Sequence, residues 1–309
     1  MRFTSKEWIK YRKSGCSEKE ILSNWGNSER VKVTICCIVF NHFDFVEEAI
    51  KSFLMQETDF PFEIIIHDDA STDASATVIE KYVKLYPNLI KPIYQSENIY
   101  SKGIKPLSII FSQAKGDYFA ICEGDDYWLD KNKIQKQYDY MSENLECSVS
   151  YHRSLLIENG ELTDKYSLNN KCYKDFDQID LLKGRGRIST QTAMLRSNIK
   201  HLPEEYSMVT NEDSFLFVLC GEFGVGKFLE EIGPSAYRLH NGGIWSNKKS
   251  SMKSIKAAES YYWIAKYYER VGKKHFSSFF LFKSIKTILL SSIYSPLYNL
   301  LFMLKVGKK

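Results

Sequence analysis

Proline and glycine are scarce in this chain of 309 residues, with seven and 16 copies. With 44% hydrophobic and 26% charged residues, this scarcity excludes wholesale disorder. We find no internal repeat and no low-complexity tract. The length therefore predicts a globular protein with one large α/β domain or two smaller ones.

The seven cysteines include no CxxC pair, and no secretory leader follows Met1. Cys36 and Cys37 lie inside a run that predicts a buried strand. We therefore expect reduced core thiols in a cytoplasmic protein.

Charge is unevenly placed along the chain. The net charge is +4, but residues 248–309 carry +11 and the remainder carries −7. The basic C-terminal tail is expected to meet an anionic surface. The acidic remainder would repel phosphates, so a nucleic acid is not an expected partner. The oligomeric state stays open.

The tail also contains the longest uncharged stretch, residues 287–304, near the lower limit for a membrane span. A spanning helix is weakened by the polar or helix-breaking residues Ser291, Ser292, Ser295, Pro296 and Asn299. The stretch is flanked by Lys283, Lys286, Lys305, Lys308 and Lys309. Three interpretations remain open: an interfacial membrane anchor, packing within the chain or between copies, and a true span.

Through the first half of the chain, continuous apolar runs alternate with segments in which apolar residues recur at helical spacing. Continuous runs at residues 33–40 and 62–67 are typical of strands buried on both faces of a parallel sheet. The same half predicts helices at 45–54, 74–85 and 107–114, and strands at 90–94 and 117–122. Alternating strands and helices indicate right-handed crossovers and a mostly parallel sheet.

The flanking regions are less regular. Residues 1–30 resemble a helical preface, with helix starts at Ser5 and at Ser17, the second with a capping-box pattern. Later segments predict strands at 148–156 and 188–195, a loop at 183–187 and a helix at 211–220. His67 is expected to be a core residue.

The most informative segment is Glu123-Gly124-Asp125-Asp126, which follows an apolar strand and precedes Tyr127 and Trp128. Crowded carboxylates repel one another unless a cation neutralises them. The segment therefore predicts a metal-diphosphate site. The alternative is a solvated acidic turn that caps the following helix.

Polar residues follow three of the predicted strands. Asn41, the pair Asp68-Asp69 and the pair Asp125-Asp126 each come directly after a strand. In open α/β sheets, ligands bind beyond the carboxyl ends of the strands. We therefore expect these residues to converge on one crevice.

Five segments in order resemble the motif series of family 2 glycosyltransferases with the GT-A fold. The resemblance covers residues 31–246 and rests on residues 33–41, 63–73, 115–128, 212–213 and 237–246. It implies an α/β, Rossmann-like GT-A domain at 31–246, after a helical extension at 1–30 and before a basic, apolar helical tail at 247–309.

The resemblance implies a nucleotide site at the first two strand ends. Phe40 occupies the position of a family Tyr that packs near the base. Asp68 or Asp69 matches the acid that accepts hydrogen bonds from the base. The alternative role of this pair is helix capping with Ser71 and Asp73. Asn41 and Asp125 belong to the same nucleotide site.

The resemblance also implies a Mn²⁺ or Mg²⁺ ion bound by Asp126 with Asp125, bridging the donor phosphates. His240 matches a position that ligates the metal or donates to a phosphate. Arg238 and the amides of Gly242 and Gly243 could add phosphate contacts. Glu123 departs from the commoner Asp and is expected to contact sugar hydroxyls.

The pair Glu212-Asp213 matches the late acidic pair of the family, whose Asp is the catalytic base. Its alternative role is to stabilise a helix N-terminus. Glu212, Trp128 and Gln191 are expected to contact donor or acceptor. Ala70 replaces the usual family Gly.

These features together predict an inverting, metal-dependent glycosyltransferase. It would use a nucleotide-sugar, with a UDP-sugar favoured, and a glycan or lipid-linked saccharide acceptor at the inner face of the membrane, in cell-surface polysaccharide biosynthesis. The Gln-x-x-Arg-Trp signature of processive synthases is absent. The alternatives are a nucleotidyltransferase, which would need a Gly-rich basic loop after the first strand, and a non-catalytic nucleotide- or glycan-binding module.

Overall fold

The computed structural model describes residues 16–26, 28–240 and 250–306, with side chains in the last range from 252 to 291. The predicted helix start at Ser5, the pair Gly242-Gly243 and the side chains of the last three flanking lysines lie outside the described residues. The second predicted helix start is confirmed. Helix α1 (Glu18–Ser23) begins with a capping box in which Ser17 and Glu20 bind each other's backbone N–H groups.

A seven-stranded sheet forms the centre of the fold. Its spatial order is β10 (Val225–Phe228), β6 (Cys147–Tyr151), β9 (Met194–Arg196), β4 (Tyr118–Ile121), β1 (Val33–Val39), β2 (Phe62–Asp68) and β3 (Ile90–Tyr94). All strands run parallel except β9, which is antiparallel to both β4 and β6. The predicted mostly parallel α/β sheet is thus confirmed.

Helices cover both faces of this sheet, which explains its continuous apolar strands. The helices that follow α1 are α2 (Val46–Leu54), α3 (Ser75–Leu85), α4 (Pro106–Gln113), α5 (Lys133–Glu143), α6 (Gln178–Leu182) and α7 (Glu212–Cys220). In β1, Cys36 faces the core cluster that contains α4 and α7, whereas Ile35 and Cys37 face the cluster that contains α2. All seven cysteines are free thiols.

A second sheet of four strands lies beside the first. Its order is β5 (Tyr127–Trp128), β11 (Ser235–Arg238), β7 (Ser154–Glu158) and β8 (Glu161–Tyr166). The prediction of one strand at 148–156 is therefore wrong, because β6 and β7 belong to different sheets. The switch occurs at His152 and Arg153, without a Gly or Pro to mark it.

The predicted strand at 188–195 is also shorter than expected. Residues Thr190–Thr192 form a single 3₁₀ turn, and only β9 joins the sheet. The turn does not extend β9 because the backbone carbonyl and the side-chain amide of Gln191 form hydrogen bonds outside the large sheet. The Gln191 carbonyl accepts from Trp128, and the Gln191 amide donates to Ser154.

The tail forms a helical hairpin of α8 (Ser250–Arg270) and α9 (Lys274–Val306). Gly272 turns the chain with a φ of 77°, which a glycine adopts without strain. Ser284 Oγ donates to the Ala258 carbonyl at 2.7 Å, and Phe280 is fully buried against Tyr268. This part of the tail therefore packs within the chain. Each helix within the described residues is either too short or too polar to span a bilayer.

Candidate active site

The acidic turn after β4 is pressed against the end of β1. The Gly124 N–H donates to the Ile38 carbonyl at 2.9 Å. A Cβ at position 124 would lie 2.8 Å from Val39 Cγ2 and 3.0 Å from His42 Nδ1, so only glycine fits this approach. The close contact brings the Asp125 carboxylate beside His42.

Pairing between β5 and β11 brings His240 to the same place. Trp128 pairs with Ser235 and Tyr127 with Ala236, so the end of β11 passes over the acidic turn. His240 Nε2 then lies 3.0 Å from Asp125 Oδ2. His42 Nε2 lies 3.7 Å from the same oxygen. We call His42, Asp125 and His240 the imidazole–carboxylate cluster.

The imidazole–carboxylate cluster has the donor set of a divalent metal site. Asp125 Oδ1 is buried and has no hydrogen-bond partner among the described residues. Burial alone would raise the pKa of Asp125, but its hydrogen bond with His240 and the neighbouring His42 outweigh burial and lower it. Burial lowers the pKa of His42, which favours the neutral imidazole that ligates metals. The residues present therefore fit a bound cation.

Asp126 does not belong to this cluster, contrary to the expectation that it is the main metal ligand. Its Oδ1 accepts the backbone N–H of Arg238 at 2.8 Å, and the side chain is buried. Burial and the adjacent Asp125 charge raise the pKa of Asp126 well above its ordinary value. Its observed role is to tie β11 to the acidic turn.

Arg238 also ties these elements together and does not face the cleft as a phosphate ligand would. Its guanidinium lies over the Phe45 ring at 4.6 Å from the centroid. Arg238 Nε donates to the Asp125 carbonyl at 3.0 Å, and Nη2 donates to Glu48 Oε2 at 2.5 Å. The side chain is 9% exposed, so the expected phosphate contact is not what the structure shows.

Beyond the ends of β1 and β2, Asn41 links the two strand ends. Its φ is 57°, and its Oδ1 accepts the Thr72 N–H at 2.7 Å. Phe40, next to it, is 37% exposed beside this loop. The expected convergence of β1 and β2 is therefore present.

The buried pair Asp68-Asp69 organises the neighbouring loops. Asp68 accepts a short hydrogen bond from the Ser71 hydroxyl. Asp69 accepts the Ile99 N–H at 2.9 Å and the Tyr100 N–H at 3.1 Å. The contacts of the capping alternative are also present, since Asp68 binds Ser71, and Asp73 accepts the Ser75 N–H at 2.9 Å near the start of α3.

Ala70 has a φ of 59°, in the left-handed region that favours glycine. This geometry explains why the family that the sequence resembles usually has a glycine at this position. The alanine retains the turn at a cost in backbone strain.

The second acidic pair lies at the N-terminus of α7, across the crevice. Glu212 forms an ion pair with the buried Lys105 at 3.1 Å. Asp213 accepts the Ser214 N–H at 2.7 Å and its side chain is exposed. Although the side chain is accessible to solvent, the protein around the carboxylate partly desolvates it and raises the pKa of Asp213, which favours proton uptake.

Glu123 connects the two acidic groups electrostatically. Desolvation, together with the charges of Asp125, Glu212 and Asp213, raises the pKa of Glu123 to about 8, although the side chain is accessible to solvent. Glu123 and Asp125, which follow β4, are therefore close enough to Glu212 and Asp213 at the start of α7 for the charges to interact. Their mutual repulsion is a cost that a bound cation offsets.

Two residues predicted to contact donor or acceptor lie in the core. Trp128 is completely buried, with its ring 4.9 Å from that of Phe53, and its Nε1 donates to the Gln191 carbonyl at 2.7 Å. Gln191 is 3% exposed, and its amide donates to Ser154 Oγ. Neither side chain faces the crevice. His67 is a buried core residue, as predicted, and its Nε2 accepts from Gln95 at 3.0 Å.

The sequence analysis missed His42, Glu48 and Lys105. His42 lies shortly after the end of β1, as Asp125 lies shortly after β4, so the same strand-end rule would have found it. Glu48 lies in α2 and Lys105 immediately precedes α4, and no sequence spacing links them to Arg238 and Glu212.

The family model for glycosyl transferase family 2 matches residues 34–202. The chain belongs to this family. The match lies within the predicted catalytic domain at 31–246, whose boundaries stay a prediction.

Several curated relatives are similar to this chain. An uncharacterized protein of Mycobacterium tuberculosis is 33% identical over 216 residues, covering 69% of this chain and 60% of the relative. The protein TuaG of Bacillus subtilis, named for teichuronic acid biosynthesis, is 28% identical, covering 75% and 87%. WfaP of Escherichia coli, named as a UDP-Glc:α-D-GlcNAc-diphosphoundecaprenol β-1,3-glucosyltransferase, is 27% identical, covering 70% and 80%. The chain thus spans about 60% of the mycobacterial relative's length.

Solved structures confirm the GT-A fold. The TarS fragment of S. aureus with UDP-GlcNAc has a TM-score of 0.58 at 22% identity, covering 76% of this chain and 66% of that one. The mannosyltransferase PcManGT of Pyrobaculum calidifontis with GDP-Man and Mn²⁺ has a TM-score of 0.57 at 12% identity, covering 93% and 81%. Both establish the fold alone.

Proposed function

We propose that this protein is an inverting glycosyltransferase that moves a sugar from a UDP-sugar to a hydroxyl of a saccharide or lipid-linked acceptor. It would act at the cytoplasmic face of the membrane in cell-surface polysaccharide assembly. The observation that carries the proposal is the imidazole–carboxylate cluster beyond the ends of β1 and β4. Glu123 lies close enough to both Asp125 and Asp213 for their charges to raise its pKa, which relates Asp213 to this cluster. The names of TuaG and WfaP support the pathway, and that of WfaP supports the UDP donor.

In this proposal Asp125, His240 and His42 hold a divalent cation, with Mn²⁺ favoured because two of the three ligands are imidazoles. When bound, the cation neutralises charge on the departing nucleoside diphosphate. Asp126 and Arg238 keep the ligands in position through the contacts described above. The metal role therefore moves from Asp126 to His42, relative to the expectation from sequence.

The donor nucleotide would lie at the ends of β1 and β2. Phe40 offers an exposed ring for the base, and the pair Asp68-Asp69 offers acceptor oxygens at the same edge. Asn41 fixes the loop that shapes this edge. Glu123, between the two acidic groups, is placed to accept hydrogen bonds from sugar hydroxyls.

Asp213 would take the proton from the acceptor hydroxyl. Its side chain is exposed, its raised pKa favours proton uptake, and its position on a helix terminus fixes its direction. A single displacement with a carboxylate base on the acceptor side inverts the anomeric configuration. Glu212, through its ion pair with Lys105, would hold the start of α7 in position beside Asp213.

The proposal is tested by incubating the protein with Mn²⁺ and a panel of UDP-sugars and measuring UDP release. We expect slow hydrolysis of one of the UDP-sugars. This hydrolysis should be absent when Mn²⁺ is chelated and absent in Asp213→Asn. Release that persists in chelator would contradict the metal role. No release and no binding of any nucleotide would favour a non-catalytic module instead.

A further inference from the structure

A cluster of cations with no assigned role lies near the start of α7. There the Asn211 N–H donates to Ser260 Oγ, and the Lys283 ammonium lies over the ring of the neighbouring Tyr261. The cluster consists of Lys183, Arg185 and Arg187 on the loop 183–187, and of Lys283 and Lys286 on α9. We call these five residues the basic cluster. Within the part of the chain that the structure describes, Asp180 pairs with Arg185 at 3.0 Å, whereas Arg187, Lys283 and Lys286 have no carboxylate at ion-pair distance.

The loop is held firmly on the helical hairpin. Lys283 Nζ donates to the carbonyls of Lys183 at 3.4 Å and Gly184 at 3.2 Å. Gly184 has a φ of 59°, and a Cβ there would lie 3.3 Å from the Phe280 ring. The Lys283 ammonium also lies over the Tyr261 ring, 4.2 Å from its centroid. The backbone of the loop is therefore held beside α9.

Electrostatic influences connect this cluster to the base. The charge of Arg187 opposes the desolvation that raises the pKa of both Asp213 and Tyr261. Burial, with the nearby charge of Arg185, lowers the pKa of Lys283 to about 8. Repulsion between neighbouring cations that lack a carboxylate partner raises the free energy of the folded protein, and a bound anionic ligand would offset that increase.

An apolar surface extends from the cluster along α9. Phe282, Ile285 and Leu289 share one helical face and are 67%, 57% and 56% exposed. Exposed apolar surface beside uncompensated cations matches a ligand with an anionic head and an apolar chain. A second copy of this chain is less well matched, because it would bring the same cations together.

We infer that the basic cluster binds the phosphate group of a lipid-linked acceptor, with Arg187 and Lys283 as the main contacts and the exposed face of α9 against the lipid. The inference rests on the proposed glycosyltransferase function and names the acceptor class. Phosphate held at Arg187 places the attached saccharide next to Asp213, where its hydroxyl is to be deprotonated.

The test is flotation with three kinds of phosphatidylcholine vesicle: neutral, carrying a polyisoprenyl diphosphate, and carrying phosphatidylglycerol at matched surface charge. The wild-type protein should bind the diphosphate vesicles most tightly. Arg187→Gln should lose at least about tenfold in affinity for them. Phe282→Ser with Ile285→Ser should weaken binding to all charged vesicles.

Matched controls separate charge from fold. Lys283→Arg keeps the charge and should retain binding, and Lys81→Gln with Lys84→Gln on α3 removes two charges elsewhere and should have no effect. Equal binding to the two anionic vesicles, or unchanged binding by Arg187→Gln, would overturn the inference.

Titration of UDP with Mn²⁺ into the same variants distinguishes the two proposals. Arg187→Gln should bind UDP as the wild type does. If UDP fails to bind the wild type, the proposed function fails. If UDP binds and the vesicle preference is missing, only the acceptor site is wrong.

Discussion

His240 Nε2 lies 3.0 Å from Asp125 Oδ2, although 115 residues separate them in the chain. The short pairing of β5 with β11 produces this contact, since it brings the end of β11 over the acidic turn. Hydrogen bonds of Arg238 with Asp126 and with the Asp125 carbonyl then hold β11 against the acidic turn. The imidazole–carboxylate cluster is thus assembled by a second, small sheet rather than by the large sheet alone.

Replacing the base should remove catalysis and leave donor binding intact. Asp213→Asn keeps the shape and removes the carboxylate, so kcat should fall by about 10²–10⁴-fold. UDP affinity in Mn²⁺ should stay within about twofold, because Asp213 does not contact the imidazole–carboxylate cluster. Asp164→Asn, the same change at an exposed position of β8, is the matched control. Transfer by Asp213→Asn at the wild-type rate would refute the base assignment.

The same residue predicts the pH dependence of the reaction. Desolvation raises the pKa of Asp213 above its ordinary value of 3.8, and only the unprotonated carboxylate accepts a proton. The rate should therefore rise with pH through this raised pKa and level off above it. A profile of kcat/KM from about pH 4 to about pH 8 measures this limb. If the residual activity of Asp213→Asn rose with pH over the same range, a group other than Asp213 would be responsible for the pH dependence.

The Arg238–Glu48 pair should contribute to both stability and metal affinity. The two side chains are only 9% and 17% exposed, so removing one partner leaves a poorly solvated charge. Arg238→Met should lower the free energy of unfolding by about 3 kcal/mol and weaken Mn²⁺ binding about tenfold.

A double-mutant cycle separates the pair from its surroundings. Glu48→Gln and the double variant complete the cycle, and we expect a coupling of about 1–3 kcal/mol in urea unfolding. Additive effects would show that Arg238 acts through Asp125 and Phe45 instead.

Position 70 should accept glycine with a gain in stability. Ala70 has a φ of 59°, so Ala70→Gly relieves strain that exceeds the added entropy of the unfolded chain. The free energy of unfolding should rise by about 1 kcal/mol. Ala74→Gly is the control, since Ala74 has a φ of −81° and gains nothing from glycine. Destabilisation by Ala70→Gly would mean that the Ala70 methyl group packs usefully.

The sequence predicted β1 and β2 because each is a largely apolar run buried on both faces of the sheet. Residues 33–40, 62–67 and 90–94 differ from the observed β1, β2 and β3 by at most one residue at either end. The boundary between β6 and β7 was missed because both segments are extended strands and the switch at His152 and Arg153 carries no Gly or Pro.

The site was predicted less completely, for a geometric reason. Strand-end position identified Asp68, Asp69 and Asp125, but it does not say which carboxylate of a pair faces the crevice. The pairing of β5 with β11 turns Asp126 toward the Arg238 backbone and leaves Asp125 for the imidazoles. The same pairing buries Trp128, which sequence position alone had placed beside the ligand.

The most direct test of the central claim is calorimetric titration of UDP into the wild-type protein, Asp125→Asn and His42→Ala, each with Mn²⁺ and with chelator. Wild type should bind UDP only with Mn²⁺, Asp125→Asn should lose at least about 100-fold in affinity, and His42→Ala about tenfold. Asp44→Asn, on the same loop, is the control and should bind as wild type. UDP binding that is equally tight in chelator, or unaffected by Asp125→Asn, would contradict a metal-dependent donor site at this cluster.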